Sequence, residues 1–251
     1  MRAVPRVVLV VPCFNEERRL DLDAFRNFTL PGHQLECLFV NDGSRDGTLK
    51  LLNALHDSDP ERFRVLDLER NGGKAEAVRR GFIDALARDA DAVGFWDADL
   101  ATPLDELRDF VNILTIRPET DMVFGARVRL LGRQISRRAS RHYFGRVGAT
   151  LISRTLGLAV YDTQCGAKLF RATDDLRNVF SKPFLSKWIF DVEIIARFVE
   201  LWGRDRVARA IYELPVKVWH DVAGSKVKGR DFLRALSDLR RIRGAYRMQR
   251  R

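Results

Sequence analysis

The sequence predicts an α/β fold with a mostly parallel central sheet flanked by helices. Three observations carry that prediction. Five short apolar runs occupy the first half, helical stretches of crossover length separate them, and polar, often glycine-bearing segments follow the runs. Unbroken apolar runs are the strand type buried on both faces. Strands joined through helices assemble as right-handed parallel crossovers.

Taken in order, strands are predicted over residues 7–11, 35–40, 63–68, 92–96 and 122–124. Helices are predicted between them over 17–28, 48–56, 74–88 and 104–116. The Thr102-Pro103 pair reads as a cap followed by a first-turn proline for the last of these. Beyond residue 126 the pattern loosens into an arginine-rich helical segment, a stretch over 162–170, a helix over 187–202 and a late strand over 211–219. A Gly/Ser/Lys loop and a basic tail close the chain. The organisation is one domain over 1–226, with 127–160 as a basic helical insertion, and an amphipathic helix over 227–251. No repeat or low-complexity linker divides it.

With 251 residues, 46% hydrophobic and 31% charged, the composition is that of a globular chain and excludes disorder or a disulfide-stapled miniature. Three scattered cysteines, Cys13, Cys37 and Cys165, suggest a reducing compartment. The run at 7–11 is too short for a signal peptide, and the most apolar long stretch, 143–160, is broken by Arg146 and Arg154. A soluble or peripheral chain is expected.

The net charge of +10 is unevenly placed. Residues 127–154 hold eight arginines and no acid; residues 226–251 hold ten Lys/Arg against Asp231 and Asp238. Each segment is therefore +8, and the rest of the chain is −6. Both basic segments carry apolar residues at helical spacing: Tyr143, Val147, Leu151 and Leu158 in the first, Phe232, Leu236, Leu239, Ile242 and Tyr246 in the second. Either stripe can pack on the protein body or lie on an anionic membrane surface. Two in one chain favour the membrane.

Ligands of parallel sheets bind at the carboxyl ends of the strands, which singles out four segments. Asp97-Ala98-Asp99 follows an apolar strand, and two such carboxylates suit one hard cation, Mg²⁺ or Mn²⁺, that also holds a diphosphate; an acidic helix cap is the alternative. Asp42 can accept from a base or ribose, or merely shape a turn. Asn71-Gly72-Gly73-Lys74 opens a helix where backbone N–H groups and Lys74 favour phosphate, or is a plain loop-to-helix transition. Asn15 and Glu16 follow the first strand, where Asn15 can also cap a helix. The four histidines lack metal spacing, and neither a P-loop nor a dinucleotide fingerprint occurs.

In this order the motifs resemble the family 2 inverting glycosyltransferases of the GT-A fold, in particular the polyprenyl- and dolichyl-phosphate sugar synthases of β-glucosyltransferase type. The carriers are residues 11–17, 40–44, 71–74 with Ala77, Val78, Arg79 and Gly81, 97–99, 125–127, 162–166 with Lys168, Leu169 and Phe170, 188–193, and 224–226. The resemblance implies that Pro12, Glu16 and Asp42 hold base and ribose, with Asn15, Gly72, Lys74 and Ala98 in the same nucleotide-sugar site. Asp97 and Asp99 would bind the metal. Gln164, Asp191 and Glu193 would lie near the sugar, and Arg127, Ser225 and Lys226 would meet phosphates, Arg127 that of the acceptor. Ala101 stands where mannose-transferring relatives carry glutamine, which leans the resemblance towards glucose.

The implied reaction moves a hexose from a nucleotide diphosphate sugar, UDP-glucose favoured, to a polyprenyl or dolichyl phosphate, by one inverting displacement. The implied place is the cytoplasmic face of the membrane, with a membrane-protein partner or a homo-oligomer as further possibilities. Asp191 becomes a base only if the acceptor is a soluble or glycan hydroxyl, the alternative reading. A non-catalytic anion- or nucleic-acid-binding protein is the outside alternative; no nucleic-acid reader motif supports it.

Overall fold

The computed structural model describes the backbone of residues 5–136, 139–220 and 229–246, and their side chains except those of 139–146 and 229–233. The strands are β1 (Arg6–Cys13), β2 (Gln34–Asp42), β3 (Phe63–Leu68), β4 (Ala92–Trp96), β5 (Met122–Ala126), β6 (Gln134–Ser136), β7 (Ala167–Arg171), β8 (Ile211–Pro215) and β9 (Val218–His220). The helices are α1 (Leu22–Asn27), α2 (Thr48–Ser58), α3 (Lys74–Leu86), α4 (Glu106–Ile116), α5 (Ala139–Leu156), α6 (Asp174–Ser181), α7 (Phe190–Trp202), α8 (Arg204–Ala210) and α9 (Gly229–Ala245).

Among the described residues the main sheet has the order β3-β2-β1-β4-β7-β5-β8, and β6 pairs with β9 separately. All its neighbours are parallel except at β7, which runs antiparallel to both β4 and β5. The fully buried runs of β1, β2 and β4 follow from helices covering both faces. On one face, Phe82 of α3 stacks on Phe180 of α6 at 4.0 Å and meets Phe95 and Phe170 edge-on. On the other, Leu52, Leu55, Leu107 and Phe110 of α2 and α4 cover Phe39 and Trp96. Each such aromatic side chain contributes about 1.5–3 kcal/mol by burial alone.

Three departures from the sequence reading have a clear local cause. The helix expected over 17–28 begins only at Leu22, because Arg19 and Leu20 both turn back to the Glu16 carbonyl and the Asp21 carboxylate caps at Ala24 N–H, 2.9 Å away. The helix expected from Leu104 starts at Glu106, and Thr102 gives its carbonyl to Trp96 Nε1. The late strand is two strands: past Pro215, Glu106 Oε1 accepts from Lys217 and Val218 N–H at 2.8 and 3.0 Å and steers the chain to β6.

Much of the apolar stripe of each basic segment is used inside the fold. Ile152 and Leu156 of α5, and Leu239 and Ile242 of α9, join the core around α7. Val147 remains exposed, as do Leu130 and Leu131 on the turn before β6. Tyr143 and Phe232 lie outside the described side chains. The boundary expected at 226/227 itself falls outside the described residues, and α9 packs on the same core as the rest of the chain.

Candidate active site

The strand order fixes where a ligand can enter. β1 pairs with β2 up to Cys13 and Asn41, but with β4 only up to Val10 and Phe95. The β1–β4 seam therefore opens at the carboxyl end, at the point from which successive strands are added in opposite directions. Pro12 stands on β1 beside that opening, where it has no N–H to leave unpaired. Because β7 is antiparallel, the segment preceding it, residues 161–166, reaches the same rim.

The first three loops are tied to one another. Asn15, in the left-handed region at φ 54°, donates its N–H to Ser44 Oγ, and its Oδ1 accepts from Arg45 N–H at 2.9 Å. Asn15 thus caps the neighbouring loop rather than a helix. Glu16 N–H donates to Thr48 Oγ1 and its carboxylate pairs with Arg19. Asp42 accepts from Gly72 and Gly73 N–H at 2.7 and 2.9 Å. The backbone nest at the start of α3 is therefore filled by the protein's own carboxylate rather than left for phosphate. Each Asp42 oxygen keeps one further lone pair. Burial raises the Asp42 carboxyl above its ordinary range, against the pull of those two N–H groups and the Lys187 charge.

The acidic centre lies at the end of β4. Asp97 N–H donates to Gly166 carbonyl at 2.9 Å, and Asp97 Oδ1 meets Lys74 Nζ at 2.5 Å. A Cβ on Gly166 would fall 1.9 Å from Asp97 Oδ2, so the absence of a side chain there gives the carboxylate its place. Asp99 Oδ1 accepts from Ala101 N–H at 3.1 Å, and Ala98 between the two aspartates is buried. Burial, then the Asp97 charge, raises the Asp99 carboxyl. Burial alone would lower the Lys74 ammonium, but Asp97, Asp191 and Asp99 outweigh it and raise it.

Two carboxylates at a strand end, cleared by a glycine, fit a hard divalent cation that takes its other ligands from phosphate oxygens and water. Among the described residues no three His, Cys, Asp or Glu side chains form a closed cage.

The 161–166 segment is braced from below. Glu213 accepts from Tyr161 and Asp162 N–H, while Asp162 accepts from Gln164 N–H and clamps Arg127 through its N–H, Nε and Nη2. Gln164 Nε2 then reaches Asp191 Oδ2 at 3.3 Å. Lys168, fully buried on β7, sits 2.6 Å from Asp191 Oδ1 and donates to Cys165 carbonyl at 2.6 Å. Both Lys168 and Lys74 lie against the Phe95 ring. Sequence reasoning gave Lys168 no role; a lysine inside the apolar run 167–170 was the signal.

The structure thus brings Lys74, Asp97, Asp99, Gln164 and Asp191 to one centre, with Pro12, Asn15, Glu16, Asp42 and Gly72 at its β1–β2 side. Two expected ligands are engaged within the protein. Glu193 is fully buried and accepts from Leu185 and Ser186 N–H, Arg197 and Tyr246 O–H, which makes it the knot of the loop before α7. The Arg127 guanidinium is paired with Asp162 through Nε and Nη2. Ser225 and Lys226 lie outside the described residues.

Residues 8–176 match the family described as glycosyl transferase family 2. The dolichyl-phosphate β-glucosyltransferase of Drosophila melanogaster is 31% identical over 240 residues, covering 87% of this chain and 68% of that protein. The enzyme of the same name from Saccharomyces cerevisiae is 31% identical over 259 residues, covering 95% and 74%. Among solved structures, glucosyl-3-phosphoglycerate synthase from Mycobacterium tuberculosis in complex with UDP superposes with a TM-score of 0.66 at 20% identity, over 96% of this chain and 80% of that one. The same synthase with Mn²⁺, UDP-glucose and phosphoglyceric acid gives 0.66 at 19% identity. The sheet order, the acidic strand end and these matches agree: the chain belongs to glycosyl transferase family 2 and is a glycosyltransferase of the GT-A fold.

Proposed function

We propose that the protein transfers glucose, or a related hexose, from a UDP-sugar to a polyprenyl or dolichyl phosphate at a membrane surface. The observation that carries the reading is the Asp97–Asp99 strand end, cleared by Gly166 and faced by Lys74 and Asp191. The names of the relatives at about 30% identity supply the sugar and the acceptor class. Pro12, Glu16 and Asp42 frame the nucleoside end. Asp97 and Asp99 would hold Mg²⁺ or Mn²⁺, which offsets the charge of the departing diphosphate.

A lipid monophosphate is anionic at neutral pH and needs no strong base. Its oxygen forms the new bond at the anomeric carbon as the bond to the diphosphate breaks, and the nucleoside diphosphate leaves with the electron pair. One displacement inverts the centre. The chain's part is alignment and fixed charge: Gln164, held on Asp191, lines the sugar side, and Lys74 stands by the diphosphate.

No helix among the described residues is long and apolar enough to cross a membrane. Contact with the lipid then falls to the arginine-rich segment, whose turn raises the fully exposed Leu131 beside Leu130. Basic residues contribute about 1 kcal/mol each near an anionic surface.

The test is transfer of radiolabelled sugar to short polyprenyl phosphate in detergent, with a panel of UDP- and GDP-sugars. Organic-extractable label that disappears with EDTA and in Asp99→Ala supports the reading. Label transferred only to a water-soluble acceptor, or none at all, overturns it.

A further inference from the structure

We propose that Lys74 is a built-in counter-cation of the Asp97–Asp99 pair, so that the divalent metal enters tightly only together with the sugar nucleotide. The inference rests on the reading of Asp97 and Asp99 as the metal's ligands. Two lysines lie against Phe95, and they differ in freedom. Lys168 is fully buried and tied to Cys165 carbonyl and Asp191, a fixed charge. Lys74 is the first residue of α3, half-exposed, and meets the acidic pair at Asp97 Oδ1, 2.5 Å away. Its four-carbon stem lets the ammonium move where Lys168 cannot.

A Mg²⁺ or Mn²⁺ ion on the same oxygen sits roughly 2.1 Å from it. Metal and ammonium are then within about 4.6 Å of each other. Even with the dielectric constant of water, repulsion between a divalent and a monovalent cation at that distance weakens binding by at least about tenfold. A diphosphate reverses the sign of the encounter. It accepts the ammonium as a partner, frees Asp97 Oδ1, and bridges to the metal. Metal and nucleotide therefore strengthen one another, and by linkage each does so by the same factor. The free enzyme holds little metal and keeps Asp97 paired with Lys74.

The experiment is titration of the full chain with Mn²⁺, free ion being read by electron paramagnetic resonance, with and without UDP. The unaltered protein should bind Mn²⁺ weakly alone and about tenfold or more tightly with UDP. Lys74→Gln should bind Mn²⁺ alone at least about fivefold more tightly than the unaltered protein and lose most of the UDP enhancement. Equal or weaker Mn²⁺ binding by Lys74→Gln, with the UDP enhancement intact, overturns the proposal and leaves the metal site standing. Mn²⁺ uptake that survives Asp99→Ala, or no uptake with or without UDP, sinks the metal reading and the proposal together. A second readout needs no variant: acylation of Lys74 by acetic anhydride, followed by mass spectrometry. Mn²⁺ alone at saturation should raise Lys74 reactivity severalfold and added UDP should lower it; reactivity indifferent to Mn²⁺ counts against the proposal.

Discussion

Gly166→Ala isolates the geometry of the acidic centre from the stability of the fold. The added methyl carbon would stand 1.9 Å from Asp97 Oδ2 and 2.2 Å from its Cγ, whereas ordinary contact begins at 3.4 Å. The carboxylate must therefore retreat by about 1.5 Å. It cannot do so by a backbone shift without breaking the 2.9 Å bond between Asp97 N–H and Gly166 carbonyl, so the side chain must rotate away. A displacement near 1 Å at a reacting centre costs about 10²-fold in rate, or roughly 2.7 kcal/mol of transition-state stabilisation. The ion pair lost with Lys74 is half-exposed and contributes at most about 1 kcal/mol, so the melting temperature should fall by no more than about 4 °C. Steady-state kinetics, Mn²⁺ titration and calorimetry on the same sample check all three. Gly244→Ala is the control: it lies in α9 with nothing within 4 Å of the new methyl and should leave activity unchanged. A Gly166→Ala protein within twofold of normal turnover and metal affinity would refute the argument.

Three further outcomes are expected. Tyr246→Phe removes the O–H that joins Glu193 and Arg197 to the end of α9; calorimetry should show a loss of about 1–2 kcal/mol, and an unchanged melting temperature would mean the tail carries no load there. Lys168→Met strands the buried Asp191 carboxylate and should cost about 3–5 kcal/mol in urea unfolding. Adding Asp191→Asn should recover part of that loss, and a double variant as unstable as the sum of both singles would contradict the pairing. Burial raises the Glu106 carboxyl above its ordinary 4.5 despite the Val218 and Lys217 N–H donors. The native state then binds a proton more readily than the unfolded chain, so stability falls as pH rises from 4.5 through the raised value. Glu106→Gln should flatten that stretch of the stability curve; an undiminished slope would assign it to other groups.

The first four strands could be read from the sequence because β1, β2 and β4 are apolar on both faces, β3 keeps a short apolar pattern, and each ends at a turn-forming segment. β7 could not, since Lys168 interrupts its run and nothing local announces that the strand reverses direction. The acidic pair was visible as a motif, but its dependence on Gly166 is a contact between residues 69 positions apart. Asn15 and Asp42 show the same limit: both are polar residues at strand ends, and the hydrogen bonds to Arg45, Gly72 and Gly73 that occupy them belong to other loops. Glu193 resembled a ligand by motif alone. Only packing shows that Arg197 and Tyr246 enclose it.

The reversed strand also imposes an order of assembly. β7 is inserted between β4 and β5, which precede it in the chain, so those two cannot be neighbours in the finished sheet. While the chain is being made, both present open edges until residues 167–171 emerge, and open edges invite pairing with other chains. The centre of the sheet therefore closes only when β7 arrives, and the same segment brings Gly166 to Asp97, while Asp191 reaches Lys168 later, from α7. A chain stalled before that point would hold every residue of the nucleoside side and none of the opposing wall. Clearing the acidic pair and covering the two central strand edges thus fall to one short segment.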